Sequence, residues 1–515
     1  MEKYILPERN VIYSDKAEID TTLTVTLDEY CPNVVRILRC DVFPALLEKT
    51  LSENGVEYSG KNVFRLIYVS DYNDSIRSVN FEEDFSGIMR TGSDLHENDD
   101  AKVSISVKPV TSSAKILSAR QLELKGRTLV SAEIAETAQR EIFGKQAEND
   151  ENLCVLEETF ENCRRIKLSD EKIVFESDVA LSQDEKSVGE LLYTEIMPYI
   201  TRTECKEGML SVWGEMKVSF VYSPENSDEM PQYDNIVCVE RQLPFETQIY
   251  EDGITENGFA VAEVSSLYVK TGVSYDPYGE NRLLSLTADM EVSGSVWECG
   301  ELCVCTDAFA IENNVCAKFS PVSFERMAGN VCESVHVSEK LHADIRNFAS
   351  VTECTMSAKL TGTEISDGKM YAVLHFDVSM LGKGENGVPN HLKTGFNTKV
   401  PLNSAVYPQG VRADLYTGVT DGGCSIKSGE LIAFADVNIC GVLTEKNTVN
   451  AVSETVPCEK SEADDKGQII VYYPDENESV WETAKKYSVN PEKLKEQNGI
   501  EGDSLSGVRM IVVTR

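Results

Sequence analysis

The residues best suited to acid–base or metal chemistry are few and scattered in this sequence. The 515-residue chain has five histidines, His96, His336, His342, His375 and His391. None lies in a nucleophile elbow, a metal-binding helix motif or a phosphate-binding loop. Because catalysis needs a concentrated set of titratable groups, the sequence predicts no catalytic residues and no enzymatic activity.

One cysteine cluster, CGELCVC, is the most metal-like feature. It contains Cys299, Cys303 and Cys305, but its spacing lacks the C-x2-C pairs of common zinc sites. Alternation along a strand would place Cys303 and Cys305 on one face, which favours two buried thiols over metal ligands. A metal-dependent enzyme built on this cluster is the least favoured of three functional hypotheses, and no metal or cofactor is predicted.

Two acidic turns could attract calcium only weakly. These are HENDD at 96–100 and SEADD at 461–465. Neither has the ligand spacing of an EF-hand loop, so we expect both to be solvated turns.

The charge balance excludes several partner classes. The formal net charge is −37, from 86 acidic and 49 basic residues, which repels phosphate backbones and anionic lipids. No basic run is longer than the pair Arg164-Arg165, so nucleic-acid binding is not expected. The sequence shows no apolar run of signal-peptide or membrane-helix length. We therefore expect a cytoplasmic protein, without membrane insertion, whose fifteen cysteines are reduced.

An internal repeat recurs about every 150 residues. The segment at 37–68, ILRCDVFPALLEKTLSENGVEYSGKNVFRLIY, aligns without a gap to 191–222, LLYTEIMPYITRTECKEGMLSVWGEMKVSFVY. A weaker third copy of the last strand lies at 368–380. The matched positions are Pro44 with Pro198, Gly60 with Gly214, Tyr68 with Tyr222, and Asp41 with Glu195.

Period-two alternation of apolar and polar residues dominates each copy, which predicts a mainly β fold of sandwich- or barrel-like repeats followed by a small βααβ domain. A helical piece is predicted near 132–145. The predicted organisation is an N-terminal arm at 1–30, three β-rich repeats at 31–147, 165–300 and 310–447, a polar linker at 448–466, and a terminal module at 467–515.

The terminal module carries the clearest local signals. Ser479 and Glu482 form a capping-box pattern at the start of a first helix. Asn490-Pro491 starts a second helix, and Asn498-Gly499 ends it. Apolar residues at helical spacing predict a buried stripe on the first helix. They are Val480, Trp481, Ala484 and Tyr487.

The module resembles the LysM domain over residues 469–513, in VWETAKKY, NPEKLKEQNGI and SGVRMIVV. The resemblance implies a βααβ fold and a groove for N-acetylglucosamine glycans such as peptidoglycan. The turn Asn477-Glu478-Ser479 stands where the family usually has Gly-Asp-Thr, which favours a protein ligand over a glycan because close backbone approach is best served by Gly. By carry-over, the groove residues for either ligand are Asn477, Glu478, Ser479, Val480, Asn498, Gly499 and Ile500.

The repeats are similar to the SPOCS family, on DTTLTVTLDEYCPNVVRILRCDV at 20–42 and the strands that follow. This resemblance implies a role in sporulation for a mother-cell protein that attaches to the developing spore surface. It favours a non-enzymatic scaffold whose LysM-like module docks onto a spore-surface morphogenetic protein during coat or envelope assembly. The alternative is a protein that binds peptidoglycan of the cortex or cell wall.

Overall fold

The computed structural model describes residues 2–52, 55–72, 75–91, 102–145, 152–168, 170–225, 236–311, 315–385, 387–402, 410–457 and 469–514. The chain is mainly β, as the alternating sequence predicts. Neither of the two helices in these ranges is long and apolar enough to cross a membrane. The turns at 96–100 and 461–465 lie outside the described residues.

Unit 1 consists of two three-stranded antiparallel sheets. One sheet consists of the consecutive strands β2, β3 and β4. The other sheet has the order β1-β6-β5, so the first strand of the unit pairs with the last. Phe64 and Leu66 from one sheet pack against Leu122 and Leu124 from the other. The strands are β1 (Glu2–Thr26), β2 (Val34–Ser52), β3 (Gly55–Ser70), β4 (Ile76–Met89), β5 (Lys102–Ile116) and β6 (Gln121–Lys145).

Unit 2 has the same arrangement, with its opening strand divided in two. The last strand, β13, pairs with β12 on one side and with β7 and β8 in succession on the other. Its core lies between β10 and β13. The strands are β7 (Leu153–Lys167), β8 (Glu171–Ala180), β9 (Val188–Lys206), β10 (Met209–Pro224), β11 (Val237–Tyr250), β12 (Phe259–Tyr275) and β13 (Asn281–Ala310).

Unit 3 repeats the strand order again. Its sheets are β15-β16-β17 and β14-β19-β18, and its core lies between β16 and β19. The strands are β14 (Val315–Leu341), β15 (Ser350–Ser366), β16 (Lys369–Lys383), β17 (Pro389–Leu402), β18 (Arg412–Lys427) and β19 (Glu430–Pro457).

Three local predictions are wrong for one reason, which is that each unit closes by pairing its opening strand with its last strand. The N-terminal arm predicted at 1–30 is mostly β1, which pairs with β6. The helix predicted at 132–145 is the second half of β6. The predicted linker begins ten residues too early, because 448–457 continue β19 and pair with β14. Antiparallel pairing across more than a hundred residues leaves no local sequence signal.

The matched glycines of units 1 and 2 have the same neighbours. Gly60 lies opposite Phe85, and a Cβ on it would lie 2.3 Å from that ring. Gly214 lies opposite Phe245, and its Cβ would also lie 2.3 Å from the ring and 2.7 Å from the carbonyl oxygen of Tyr199. Glycine is required at both positions because an aromatic ring from the next strand covers the backbone.

The terminal module follows the third unit and packs against unit 2. Its elements are β20 (Ile469–Tyr472), α1 (Val480–Tyr487), α2 (Pro491–Asn498) and β21 (Ile511–Thr514). The predicted capping box is present, since the Ser479 side chain accepts from the Glu482 N–H and the Glu482 carboxylate accepts from the Ser479 N–H. Asn490 and Gly499 cap α2 as predicted.

We expect Gly214→Ala to destabilise unit 2 by about 1–3 kcal/mol, because the added methyl must displace the Phe245 ring or the β9 backbone. Urea unfolding of the full chain measures the change. Gly300→Ala is the matched control, because its Cβ would have no neighbour within 4 Å. Equal midpoints for the two variants would contradict this explanation.

Candidate functional site

Polar side chains of the described residues are prominent at a buried junction between the three units and in the terminal module. At the junction, β2, β9 and β15 contribute residues at equivalent register positions. The residues that pair with them on the central strands β3, β10 and β16 belong to one apolar cluster. The pairs are Arg39 with Ile67, Tyr193 with Val221, and Glu353 with Leu381.

Ion pairs between units surround this cluster. Arg39 Nη2 lies 2.8 Å from a Glu195 carboxylate oxygen, and Arg65 Nη1 lies 3.1 Å from the same oxygen. Lys393 Nζ lies 2.5 Å from Asp41, which also pairs with Arg39. Burial alone would raise the pKa of Asp41, but Arg39 and Lys393 hold it below its ordinary value. Residues from all three units therefore form one charged network.

Glu353 is the most perturbed acid of the junction. Its carboxylate accepts a 3.0 Å hydrogen bond from the Tyr193 hydroxyl through Oε2, whereas Oε1 has no hydrogen-bond partner among the described residues. The residue is 3% exposed. Burial raises the pKa of Glu353 to about 7, against the opposing effect of Arg39. A carboxyl group in this state can hold a proton near neutral pH.

The junction also contains a serine–histidine contact. Ser379 Oγ lies 2.9 Å from His391 Nε2. Burial and the nearby Arg39 charge lower the pKa of His391 to about 3. An imidazole with this pKa is a weak base and takes up a serine proton poorly, so the contact serves to orient the two side chains. Sequence reasoning missed the junction because its members are far apart in the chain.

Glu353→Gln should stabilise the chain at pH 8 by roughly 3 kcal/mol and have little effect near pH 4.5. The folded pKa of about 7 lies above the ordinary 4.5. The free energy of unfolding that the chain gains from protonated Glu353 is therefore fully present below pH 4.5. It is lost as the pH rises through 7 and Glu353 ionises in the folded chain.

Urea unfolding at several pH values tests this expectation. The control is Glu83→Gln, an exposed acid on β4. A variant less stable than the parent at pH 8 would show that Arg39 favours the charged form of Glu353.

In the module, the predicted first turn is occupied by structural contacts. The Glu478 carboxylate accepts from the Tyr472 hydroxyl at 2.7 Å and from the Thr483 hydroxyl at 2.9 Å. Burial would raise the pKa of Glu478, but these hydrogen bonds lower it. Val480 is in the module core, and Ser479 caps α1. Of the four predicted residues in this turn, Asn477 is the exposed one.

The second predicted side of the groove is also used structurally. The Asn498 side-chain amide donates to the Val512 carbonyl at 2.8 Å, and its oxygen accepts from the Val512 N–H. Ile500 packs against the module core, and Gly499 adopts the left-handed conformation that caps α2.

A later loop, rather than 498–500, lies directly against the first turn. The Val480 N–H donates to the Asp503 carbonyl and the Leu505 N–H donates to the Glu478 carbonyl, both at 2.9 Å. Asp503 and Ser504, which are exposed, therefore join the list of groove candidates, whereas Leu505 is part of the module core. No sequence pattern marks them beyond their position after α2.

The module packs against the far end of β13. Trp481 Nε1 donates to Asp307 Oδ2 at 2.8 Å, and Lys485 Nζ lies 2.6 Å from the same oxygen. The Phe309 ring meets the Trp481 ring edge-on at a centroid distance of 4.9 Å. We call these four residues the docking contact. Although a polar linker is predicted ahead of the module, aromatic packing and an ion pair hold the module against unit 2.

The cysteines of the predicted cluster lie just before this contact. Cys305 is buried, and Cys303 is half-buried with its sulfur 3.8 Å from a Glu157 carboxylate oxygen. A bulge between Cys305 and Asp307 interrupts pairing with β7. Within the described ranges, no group of three or more His, Cys, Asp or Glu side chains is arranged to hold a metal ion.

No protein-family model, curated protein or solved structure matches this chain.

Asp307→Asn should loosen the module from unit 2. The change removes the negative charge that Lys485 faces, and it replaces the charged acceptor of the Trp481 N–H with a neutral amide. We expect a red shift of tryptophan fluorescence and faster proteolysis between β19 and β20. Asp289→Asn, an exposed acid on the same strand, is the control. Unchanged fluorescence and cleavage in Asp307→Asn would show that the Phe309 packing alone holds the module.

Proposed function

We propose that this chain is a non-enzymatic scaffold in endospore formation that docks, through its terminal module, onto a protein of the developing spore surface. The observation that carries the proposal is the docking contact. It holds one side of α1 against unit 2 and leaves Asn477, Asp503 and Ser504 exposed on the module. The module is thereby presented in a fixed orientation by a large body.

The acidic surface and the groove contacts favour a protein ligand. Sugar recognition needs polar side chains that are free to bond, and Glu478, Ser479 and Asn498 already bond within the module. The net charge of −37 favours a basic or neutral partner surface. The SPOCS and LysM resemblances supply the spore surface as the place of docking.

Removing the module should abolish recruitment to the forespore. A tagged chain that ends at Cys458 and the full-length chain are compared by fluorescence microscopy in a sporulating host. The full-length chain is expected at the forespore, and the truncated chain is expected to be diffuse. Normal localisation of a stable truncated chain would contradict docking through the module.

A point variant separates loss of docking from loss of folding. In the full chain, Asn477→Arg places a bulky cation on the exposed turn and should weaken recruitment. Glu496→Arg, on an exposed position of α2, is the control. Retention of the purified full-length chain on purified peptidoglycan, without other proteins, would favour the glycan alternative and contradict a protein ligand.

A further inference from the structure

Two pairs of cysteines lie directly opposite each other where the opening and last strands of units 2 and 3 meet. Cys163 on β7 faces Cys299 on β13, and their sulfurs are 3.3 Å apart. Cys332 on β14 faces Cys440 on β19, and their thiols are hydrogen-bonded. Opposed residues on antiparallel strands have Cα atoms about 4.5–5.5 Å apart, which is within the range that a disulfide spans.

Each pair combines an accessible thiol with a less accessible one. Cys299 and Cys332 are exposed, whereas Cys163 is buried and Cys440 half-buried. Burial raises the pKa of Cys163, and it raises that of Cys440 to about 12. The exposed thiol of each pair is therefore the one that an oxidant reaches first.

Among the described cysteines, one is already oxidised. Cys316, at the start of β14, is disulfide-bonded, whereas the other described cysteines are free thiols. The expectation that all cysteines are reduced is therefore wrong at this position, and the β14–β19 region accommodates an oxidised sulfur.

We propose that Cys163–Cys299 and Cys332–Cys440 are two disulfide sites, which close in an oxidising environment and lock the opening strand of units 2 and 3 to the last strand. The oxidant is a low-molecular-weight disulfide. The thiolate of Cys299 or Cys332 attacks one of its sulfurs, forms a mixed disulfide and releases one thiol. The facing cysteine then loses its proton, attacks the protein sulfur and releases the second thiol. Two protein thiols are oxidised, and one small disulfide is reduced to two thiols.

A third pair provides an internal comparison. Cys354 and Cys424 are hydrogen-bonded across the unit 3 sandwich, but Cys354 is buried and Cys424 is only partly exposed. Since neither is exposed, this pair should remain reduced in the folded chain under conditions that oxidise the other two.

Closing the two sites should stabilise the folded chain against the unfolded one. The bonds would join residues 136 positions apart in unit 2 and 108 apart (440 minus 332) in unit 3. Loops of this length restrict the unfolded chain strongly, so we expect a rise in thermal midpoint of roughly 5–10 °C.

The test uses the full-length reduced chain incubated with oxidised glutathione, then alkylated, digested without reduction and analysed by mass spectrometry. We expect cross-linked peptides for 163–299 and 332–440, a higher thermal midpoint, and reversal of both by dithiothreitol. Cys299→Ser should lose only the first cross-link, Cys332→Ser only the second, and the control Cys31→Ser neither.

Glutathione adducts on Cys299 and Cys332 without cross-links would overturn the proposal. So would cross-links of Cys163, Cys299, Cys332 or Cys440 to any other cysteine of the folded chain, or both cross-links with an unchanged midpoint; the disulfide at Cys316 is expected in either case. The parent chain alone decides between these outcomes, so the proposal stays testable if a serine variant does not fold.

Discussion

The buried ionic junction is the interaction on which the arrangement of the three units depends. Arg39 cannot leave water without compensating carboxylates, and it obtains one from Asp41 in its own unit and one from Glu195 in the next. Burial would lower the pKa of Arg39, but these two carboxylates raise it above its ordinary value. Shifting unit 1 against unit 2 while they stay packed together would leave Glu195 largely buried without Arg39 and Arg65, so the network disfavours other packed orientations of the two units.

A long strand, β13, joins the core of unit 2 to its outer end. β13 has 30 residues, which at about 3.3 Å per residue corresponds to roughly 100 Å. Its first part lines the unit 2 core and its last part pairs with β7 as far as Ala310. Unit 3 supports this outer part, since Phe160 of β7 meets Phe324 of β14 at a ring-centroid distance of 5.3 Å. The module rests on the end of a strand that begins in the core.

What could be predicted from the sequence was local. The caps of α1 and α2 depend on residues three positions apart, so they were visible, and so were the matched glycines, which mark where Phe85 and Phe245 cover a strand. The helix predicted near 132–145 was wrong because pairing with β1, over a hundred residues away, overrides local periodicity. Glu353 gave no signal, since its perturbation arises from other units.

Residue roles in the module illustrate why a motif alone does not assign a site. Glu478 and Asn498 are polar residues at turn positions, which is what a binding groove and a tightly capped fold both require. The structure uses them to fasten α1 and β21, so their presence is explained without any ligand. Asn477 makes no such hydrogen bond among the contacts that the structure shows, and its side chain is exposed. The side fixed to unit 2 and the exposed side thus have separate roles. The Cys163–Cys299 pair lies on the same β7–β13 ladder, between the core and Asp307, where a covalent bond would stiffen the support beneath the module.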